Sequence, residues 1–450
     1  MADEPLSHRR VLRIALPIVL SNITVPLLGA VNTGVVGQLG LAAPIGAVGL
    51  GAVVLASVYW MFGFLRMGTS GLAAQARGAG DSDEQAAILI RALLIGALAG
   101  LGMVAVQGPL IGFALALAPG SAEVEGLARS YLGLRIWGAP ATICLYAITG
   151  WLIAQERTRA VLGLQLLMNG LNVGLDLWFV LGLGWGVPGV AVATLMAEYS
   201  GLGLGLWVCR GGLGWGGPVW GGLRIDWHRV ADWPSLRRML AVNSDIMART
   251  VVLQGSFTTF VFLGAGFGDV TLAANQVLMQ FLEITAYGLD GLAFAAESLV
   301  GQAVGAGSAV RVRRAAWLTS QWGGAGALGL AAGLWLAGPW LIEVISASEA
   351  VRAEARDYLP WVVLAPLIGI ASWMFDGIFI GATRTKEMRN AMMGSVAVYG
   401  LALWLLLPAF GNHGLWGALM VLNLARGVSM ALYYPRVERA TAAAAREKAG

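Results

Sequence analysis

Gln75-Ala-Arg-Gly-Ala-Gly80 recurs as Gln302-Ala-Val-Gly-Ala-Gly307, an offset of 302 − 75 = 227 residues. Ile153-Ala-Gln-Glu-Arg-Thr-Arg159 recurs as Ile380-Gly-Ala-Thr-Arg-Thr-Lys386, again at 380 − 153 = 227. Gly186-Val-Pro-Gly189 recurs as Gly414-Leu-Trp-Gly417, at 414 − 186 = 228. In a chain of 450 residues this common offset is half the length, which indicates a duplicated unit.

Outward from these motifs the chain is a series of apolar stretches. A spanning helix needs about 20 predominantly apolar residues. On that ruler twelve segments are expected, at 11–37, 43–76, 86–117, 127–154, 159–183, 187–209, 239–265, 270–304, 314–345, 355–382, 389–410 and 414–435. Each half holds six. An even number gives both copies the same polarity, so they are parallel repeats related by an axis along the membrane normal. The fold expected is an all-α integral membrane protein, with twelve transmembrane helices in two pseudo-symmetric six-helix bundles and a central cleft. The domains expected are an N-lobe over 1–209, an interfacial linker over 210–238, a C-lobe over 239–435 and a tail over 436–450.

Composition agrees. Hydrophobic residues make up 58% of the chain and charged ones 12%, with a mean hydropathy of +0.73. Soluble proteins carry about 25% charged residues, so a soluble enzyme is excluded. The 64 glycines suit close helix packing in lipid. Cys144 and Cys209 lie far apart, and His8, His228 and His413 form no spaced ligand pair, so neither a metal site nor a cofactor is expected. Phosphate-loop, zinc-protease and serine-hydrolase signatures are missing. The net charge of +4 comes from arginines in short loops, which fits membrane orientation rather than nucleic-acid binding.

Those loops set the orientation. Arg9, Arg10 and Arg13, the arginines of the 210–238 stretch, Arg311, Arg313 and Arg314, and Arg436 and Arg439 fall on one side. The other side has Arg129, Arg352 and Arg356 beside Glu123, Glu125, Glu349 and Glu354. The asymmetry puts both termini and the linker on the cytoplasmic side.

Ionisable groups inside spans are the functional candidates, because a central charge costs about 2.5–3.5 kcal/mol even on insertion scales. Asp176 lies on the fifth span, where Asn169, Asn172 and Asp176 share one helical face. Asp245 and Arg249, four residues apart on the seventh span, suggest an internal ion pair. Asp290 and Glu297 share a face of the eighth span, Asp376 sits on the tenth, and Glu283 is a further acid without an assigned role. Arg66, Arg135 and Arg426 lie near segment ends and are expected to snorkel. Pro17 and Pro26 in the first span remove backbone hydrogen bonds and predict a kink or hinge. Asn22, Thr24, Asn32 and Thr33 around them suggest a wet helix face.

The ordered set of local motifs resembles the multidrug and toxic compound extrusion (MATE) family, in its DinF branch, over essentially the whole chain. The pieces that carry the resemblance are Phe64-Leu-Arg-Met67 with Gly71-Leu-Ala-Ala-Gln75, Leu175-Asp-Leu-Trp178, Ala197-Glu-Tyr199, Asn243-Ser-Asp-Ile-Met247, Thr285-Ala-Tyr-Gly-Leu-Asp290-Gly291 and Asp376-Gly-Ile-Phe-Ile-Gly-Ala-Thr383. The resemblance implies two six-helix lobes around a V-shaped cavity, exporting amphipathic, often cationic, compounds against entry of protons or sodium. It implies a monomer in the bacterial inner membrane, with small amphipathic molecules and lipid as partners and no nucleic acid. Asp176 matches the fifth-helix acid of such relatives, and Pro26 matches the kink of the first helix. The first-helix motif, normally Val-Asp-Thr, reads Val31-Asn32-Thr33. Asn32 cannot titrate, so coupling rests on Asp176 alone or moves to acids of the second half. Asp376 matches the tenth-helix acid of sodium-coupled relatives. An alternative with the same fold is a flippase of lipid-linked saccharides, and a membrane-embedded enzyme is disfavoured by the missing catalytic sets.

Overall fold

The computed structural model describes residues 5–38, 42–117, 121–210 and 226–449. They are almost entirely helical, and no strand occurs among them. The first half contains α1 (His8–Gly37), α2 (Ala42–Met61), α3 (Gly63–Gly78), α4 (Ser82–Ala105), α5 (Gln107–Leu117), α6 (Ala122–Arg135), α7 (Ala139–Ala154), α8 (Thr158–Asp176) and α9 (Gly186–Cys209). The short α10 (Trp227–Val230) precedes α11 (Trp233–Ala265), α12 (Asp269–Gly305), α13 (Ala309–Ile345), α14 (Glu349–Gly381), α15 (Thr385–Phe410) and α16 (Asn412–Ala449). Eleven helical segments are long and apolar enough to cross a membrane. With 30 residues, or roughly 45 Å at 1.5 Å per residue, α1 is a twelfth helix of spanning length. The chain is a multi-pass, all-α membrane protein.

Three expected segments are broken. The second divides at Phe62 into α2 and α3, and the third at Val106 into α4 and α5. Pro109 then falls in the first turn of α5, where a missing N–H is tolerated. The fourth carries a 3₁₀ turn, Ile136–Gly138, between α6 and α7, with Pro140 just inside α7. Of the expected linker, residues 211–225 lie outside the described residues. The remainder is mostly helical, since α10 lies within it and α11 already begins at Trp233, and α16 runs through the expected tail to Ala449.

The duplication is written into the backbone. Gly80 and Gly307 both have positive φ (75° and 69°), as do Gly184 and Gly411 (70° and 56°). So do two residues that are not glycine, Glu156 (54°) and Thr383 (50°). Each pair is separated by 227 (307 − 80, 411 − 184, 383 − 156). Such left-handed residues close helices by letting the next N–H groups return to the last turn. Asp81 N–H donates to Ala76 O and Ser308 N–H to Ala303 O (3.0 and 3.1 Å). Arg157 N–H donates to Leu152 O and Arg384 N–H to Phe379 O (2.8 and 2.9 Å). The N-caps Ser121 and Ser348 repeat at the same offset (348 − 121 = 227).

Residues group into two compact units. One comprises Met1–Val19, Ala74–Asp81 and Arg238–Gly450, and the other Leu20–Ala73 and Ser82–Arg237. Helices α1 and α3 therefore contribute residues to both. Within the second unit Gly150 of α7 lies against the Arg66 carbonyl of α3, and within the first Gly377 of α14 lies against the Ala293 carbonyl of α12. Both members shift by 227 (377 − 150, 293 − 66), so one glycine-mediated crossing is built twice. Any Cβ at these glycines would collide with backbone, the close approach that small residues permit in membranes. The first unit is cored by Phe260 and Trp416, edge to face at 4.8 Å. There the amides of Asn275 and Asn412 bond reciprocally (2.8 and 3.0 Å), and Trp416 Nε1 donates to Asn275 Oδ1 (2.9 Å).

Also in the first unit, the ends of α3 and α12 cross reciprocally. Gly78 lies against the Gln302 carbonyl and Gly305 against the Gln75 carbonyl. Arg10 Nη2 donates to Gln302 Oε1 (3.0 Å) and Arg238 Nη2 to Gln75 Oε1 (2.9 Å). Gln75 Nε2 also reaches Gly381 O and Thr383 Oγ1, both at 3.0 Å.

Candidate functional site

Asp176 ends α8, and the next six residues, Leu177–Gly182, form a π-helical turn in which Leu183 N–H donates to Trp178 O (2.9 Å). Such wider turns recur at functional positions because they re-aim neighbouring side chains. Asn169 and Asn172 precede Asp176 on the same helix. Asn169 Nδ2 donates to Thr24 O of α1 (3.3 Å), and Asn169 Oδ1 accepts from Gln165 Nε2 (2.9 Å). Asn172 Nδ2 donates to Thr194 Oγ1 of α9 (2.9 Å), whose own proton goes to Val190 O (2.9 Å). Asp176 is 0% exposed.

Asn32 of α1 joins this stripe. Oriented by its neighbours, its amide Nδ2 donates to Asp176 Oδ2 and to Asn172 Oδ1, both at 2.9 Å. The Asn172 amide lies 3.2 Å from the same Asp176 oxygen. A primary amide carries a donor and an acceptor on one carbon. Turned one way, Asn172 accepts a proton held by Asp176; turned the other, it donates to the ionised carboxylate. Asp176 Oδ1 has no hydrogen-bond partner among the described residues, and no salt bridge to Asp176 occurs among them. Arg135 is a charged neighbour of Asp176 in the same unit. That guanidinium is held in a bidentate pair by Glu198 of α9 (2.8 and 2.9 Å). Pro17 lies within α1, whose helical backbone continues through it, and the side chain of Pro26 lies outside the described residues.

The acids of the other unit have different company. Arg249 does not pair with Asp245, its neighbour one turn away. Asp245 is bound by Arg389 Nη1 (2.6 Å) and Thr385 Oγ1 (3.2 Å) of α15. Arg249 Nη2 instead donates to Asp376 Oδ2 of α14, which also accepts from Arg426 Nη2 of α16 (2.7 Å). A shared face allowed an Asp245–Arg249 pair, but neighbouring helices offered better-placed partners. Arg426 and Arg135 do not snorkel, since both are buried in ion pairs. Glu297 is 1% exposed at the crossing of α12 and α14, where its carbonyl abuts Gly381. Asp290 is half-buried seven residues earlier, and Glu283 is exposed.

The candidate residues of the two halves keep to separate groups. Asn32, Asn172 and Asp176 are joined to one another, with Asn169, a turn earlier, bonded to Thr24 of α1, while Asp376, Arg249 and Arg426 form another group in the other unit. Thr194 and Asn423, which Asn172 and Arg426 contact, were not anticipated, and Glu198, the partner of Arg135, stood only within a motif of the resemblance. Glu198 had a readable signal, being an acid within an apolar span. Thr194 and Asn423 had none.

Known proteins are similar to this chain in sequence and in fold. The MatE family model matches residues 17–178 and 246–405, a stretch in each half. DNA damage-inducible protein F of Escherichia coli (strain K12) is 40% identical over 440 residues, covering 97% of this chain and 94% of that protein. A probable multidrug resistance protein NorM of a Synechococcus strain is 30% identical over 321 residues, 68% of this chain and 65% of the relative. Among solved structures, the Vibrio cholerae MATE transporter VcmN in its bent form superposes with a TM-score of 0.84 at 18% identity, covering 96% of this chain and 97% of that one.

Proposed function

Because this chain belongs to the MATE family of membrane transporters, we propose that it is a secondary antiporter that exports amphipathic, chiefly cationic, organic compounds in exchange for protons. Both termini face the cytoplasm in this reading, and the membrane is the bacterial inner membrane. Alternating access of two bundle-like halves carries the cargo, and Asp176 carries the proton.

The observation that supports this most is the setting of Asp176. It is fully buried, its carboxylate is engaged by amides rather than by a cation, and Asn172 can serve it with or without a proton. A proton or a substrate's positive charge can each neutralise that carboxylate, and each excludes the other. Asp376 is less suited, since two guanidinium groups already occupy one of its oxygens. Protons are therefore favoured over sodium as the coupling ion. The energy suffices: one charge crossing about 100 mV releases about 2.3 kcal/mol, and each pH unit adds about 1.4 kcal/mol.

Reconstituted vesicles with an imposed pH gradient test the reading. Wild-type protein is expected to drive efflux of a cationic dye, and Asp176→Asn to abolish the gradient-driven part. Undiminished efflux by that variant removes Asp176 from the mechanism.

A further inference from the structure

The cluster of Arg249, Asp376 and Arg426 lies wholly in the C-terminal unit and has two properties that the proton reading leaves unused. The first is charge. Two guanidinium groups and one carboxylate sum to a formal +1, and the charged neighbours of Arg426 are Asp376 and Arg249. Both arginines are 6% exposed, on spans α11 and α16. An uncompensated charge there is expensive, and it selects for an opposite charge as its complement.

The second is donor capacity. A guanidinium carries five N–H donors. Among the described residues, Arg249 spends one, on Asp376 Oδ2, and Arg426 spends two, one on the same oxygen and one on Asn423 Oδ1 (3.2 Å). Asp376 pins two forks side by side on one of its oxygens, leaving most of their donors unspent. Its other oxygen, Oδ1, has no partner among the described residues. Planar, paired N–H donors match a planar oxyanion better than any point cation does.

We propose that this cluster is a binding site for the carboxylate, or equivalent oxyanion, of an amphipathic substrate. Arg249 and Arg426 form the donors, Asp376 holds them together and moderates their charge, and Asn423 fixes the rotation of Arg426. The site extends the cargo from cations to amphipaths with an acidic group, including zwitterions. It belongs to the other unit from Asp176 and does not depend on the proton reading. The oxyanion can come from a soluble organic acid or from an anionic lipid headgroup, and the chemistry of recognition is the same.

The test is equilibrium dialysis of the full chain in phosphatidylcholine nanodiscs, with 1-naphthoate as the probe and neutral 1-naphthamide as its isostere. The wild type is expected to bind the carboxylate at least tenfold more tightly. That preference is expected to vanish in Arg249→Gln and Arg426→Gln and to grow in Asp376→Asn, where the central negative charge is gone. Asp176→Asn is expected to keep it, which separates this site from the coupling site. If both glutamine variants fail to fold, the wild-type comparison still decides. Phosphatidylglycerol added to the nanodiscs identifies the source: competition with 1-naphthoate assigns the headgroup, and no competition assigns the soluble acid. Equal wild-type affinity for the two probes, or an undiminished preference in both folded glutamine variants, overturns the proposal.

Discussion

The amide nitrogen of Asn32 lies 2.9 Å from Asp176 Oδ2. Helix α1 thus supplies a permanent neutral donor where the resembled family places a second acid. An aspartate at position 32 would set two carboxylates at hydrogen-bonding distance, and such pairs hold one proton between them. The efflux–pH profile of Asn32→Asp is expected to gain a second, more alkaline inflection absent from the wild type. A single inflection at the wild-type position, measured with the same dye, contradicts this.

Glu198 and Arg135 form a buried bidentate pair with side chains 10% and 8% exposed. Removing the acid strands a guanidinium in the interior, which typically costs about 3–5 kcal/mol. Glu198→Ala is therefore expected to lower the detergent melting temperature sharply. Replacing both partners by methionine is expected to restore most of the loss, since no charge is then left unpaired. A double variant as unstable as the single one counts against the pairing.

Gly78 and Gly305 make equivalent contacts, each against the glutamine carbonyl of the other helix. A methyl group at either forces backbone to move, an overpacking cost of about 1–3 kcal/mol. Gly78→Ala and Gly305→Ala are expected to depress the melting temperature by similar amounts. By contrast Gly324, with open space around it, is expected to accept alanine without loss.

Asp232, outside the spans, accepts from the Ser235 backbone N–H (2.9 Å) at the start of α11. The hydrogen bonds from Ser235 hold its carboxyl below the usual carboxylate range. The folded form is thus the stronger acid, so the capping contribution is complete above the unfolded value of about 4 and fades only as pH falls through the lower folded value. Amide exchange at Ser235, corrected for intrinsic rate, is expected to stay constant from neutral pH down to about 5. It is expected to accelerate below about 4. Asp232→Ala is expected to show the faster rate throughout.

The spans and the duplication were legible because both are patterns along one dimension. Apolar length finds a helix whatever packs against it, and the Gln75 and Gln302 motifs repeat because their turns do. The breaks at Phe62 and Val106 were not legible, since an apolar run with an interrupted backbone reads like one without. Asp176 and its stripe were found from helical periodicity, which tells which side chains share a face. Periodicity does not tell which helix lies opposite, and there the reading of Asp245 and Arg249 failed: each pairs across to a different helix. Arg426 was assigned to a span end by position, while its partner Asp376 lies fifty residues away in sequence.

The reciprocal seating of Gly78 on Gln302 and of Gly305 on Gln75 ties the fates of the two gene halves together. Elsewhere the halves differ, as Arg249 and Asp376 do from Asn22 and Thr149 at the same offset (249 − 22 and 376 − 149 are both 227). These four do not, because each half furnishes both a notch and the ridge that fills the other's notch. What a side chain at either notch would strike is main chain, which no replacement of the glutamine can withdraw, so neither half can enlarge its notch without moving the other's helix.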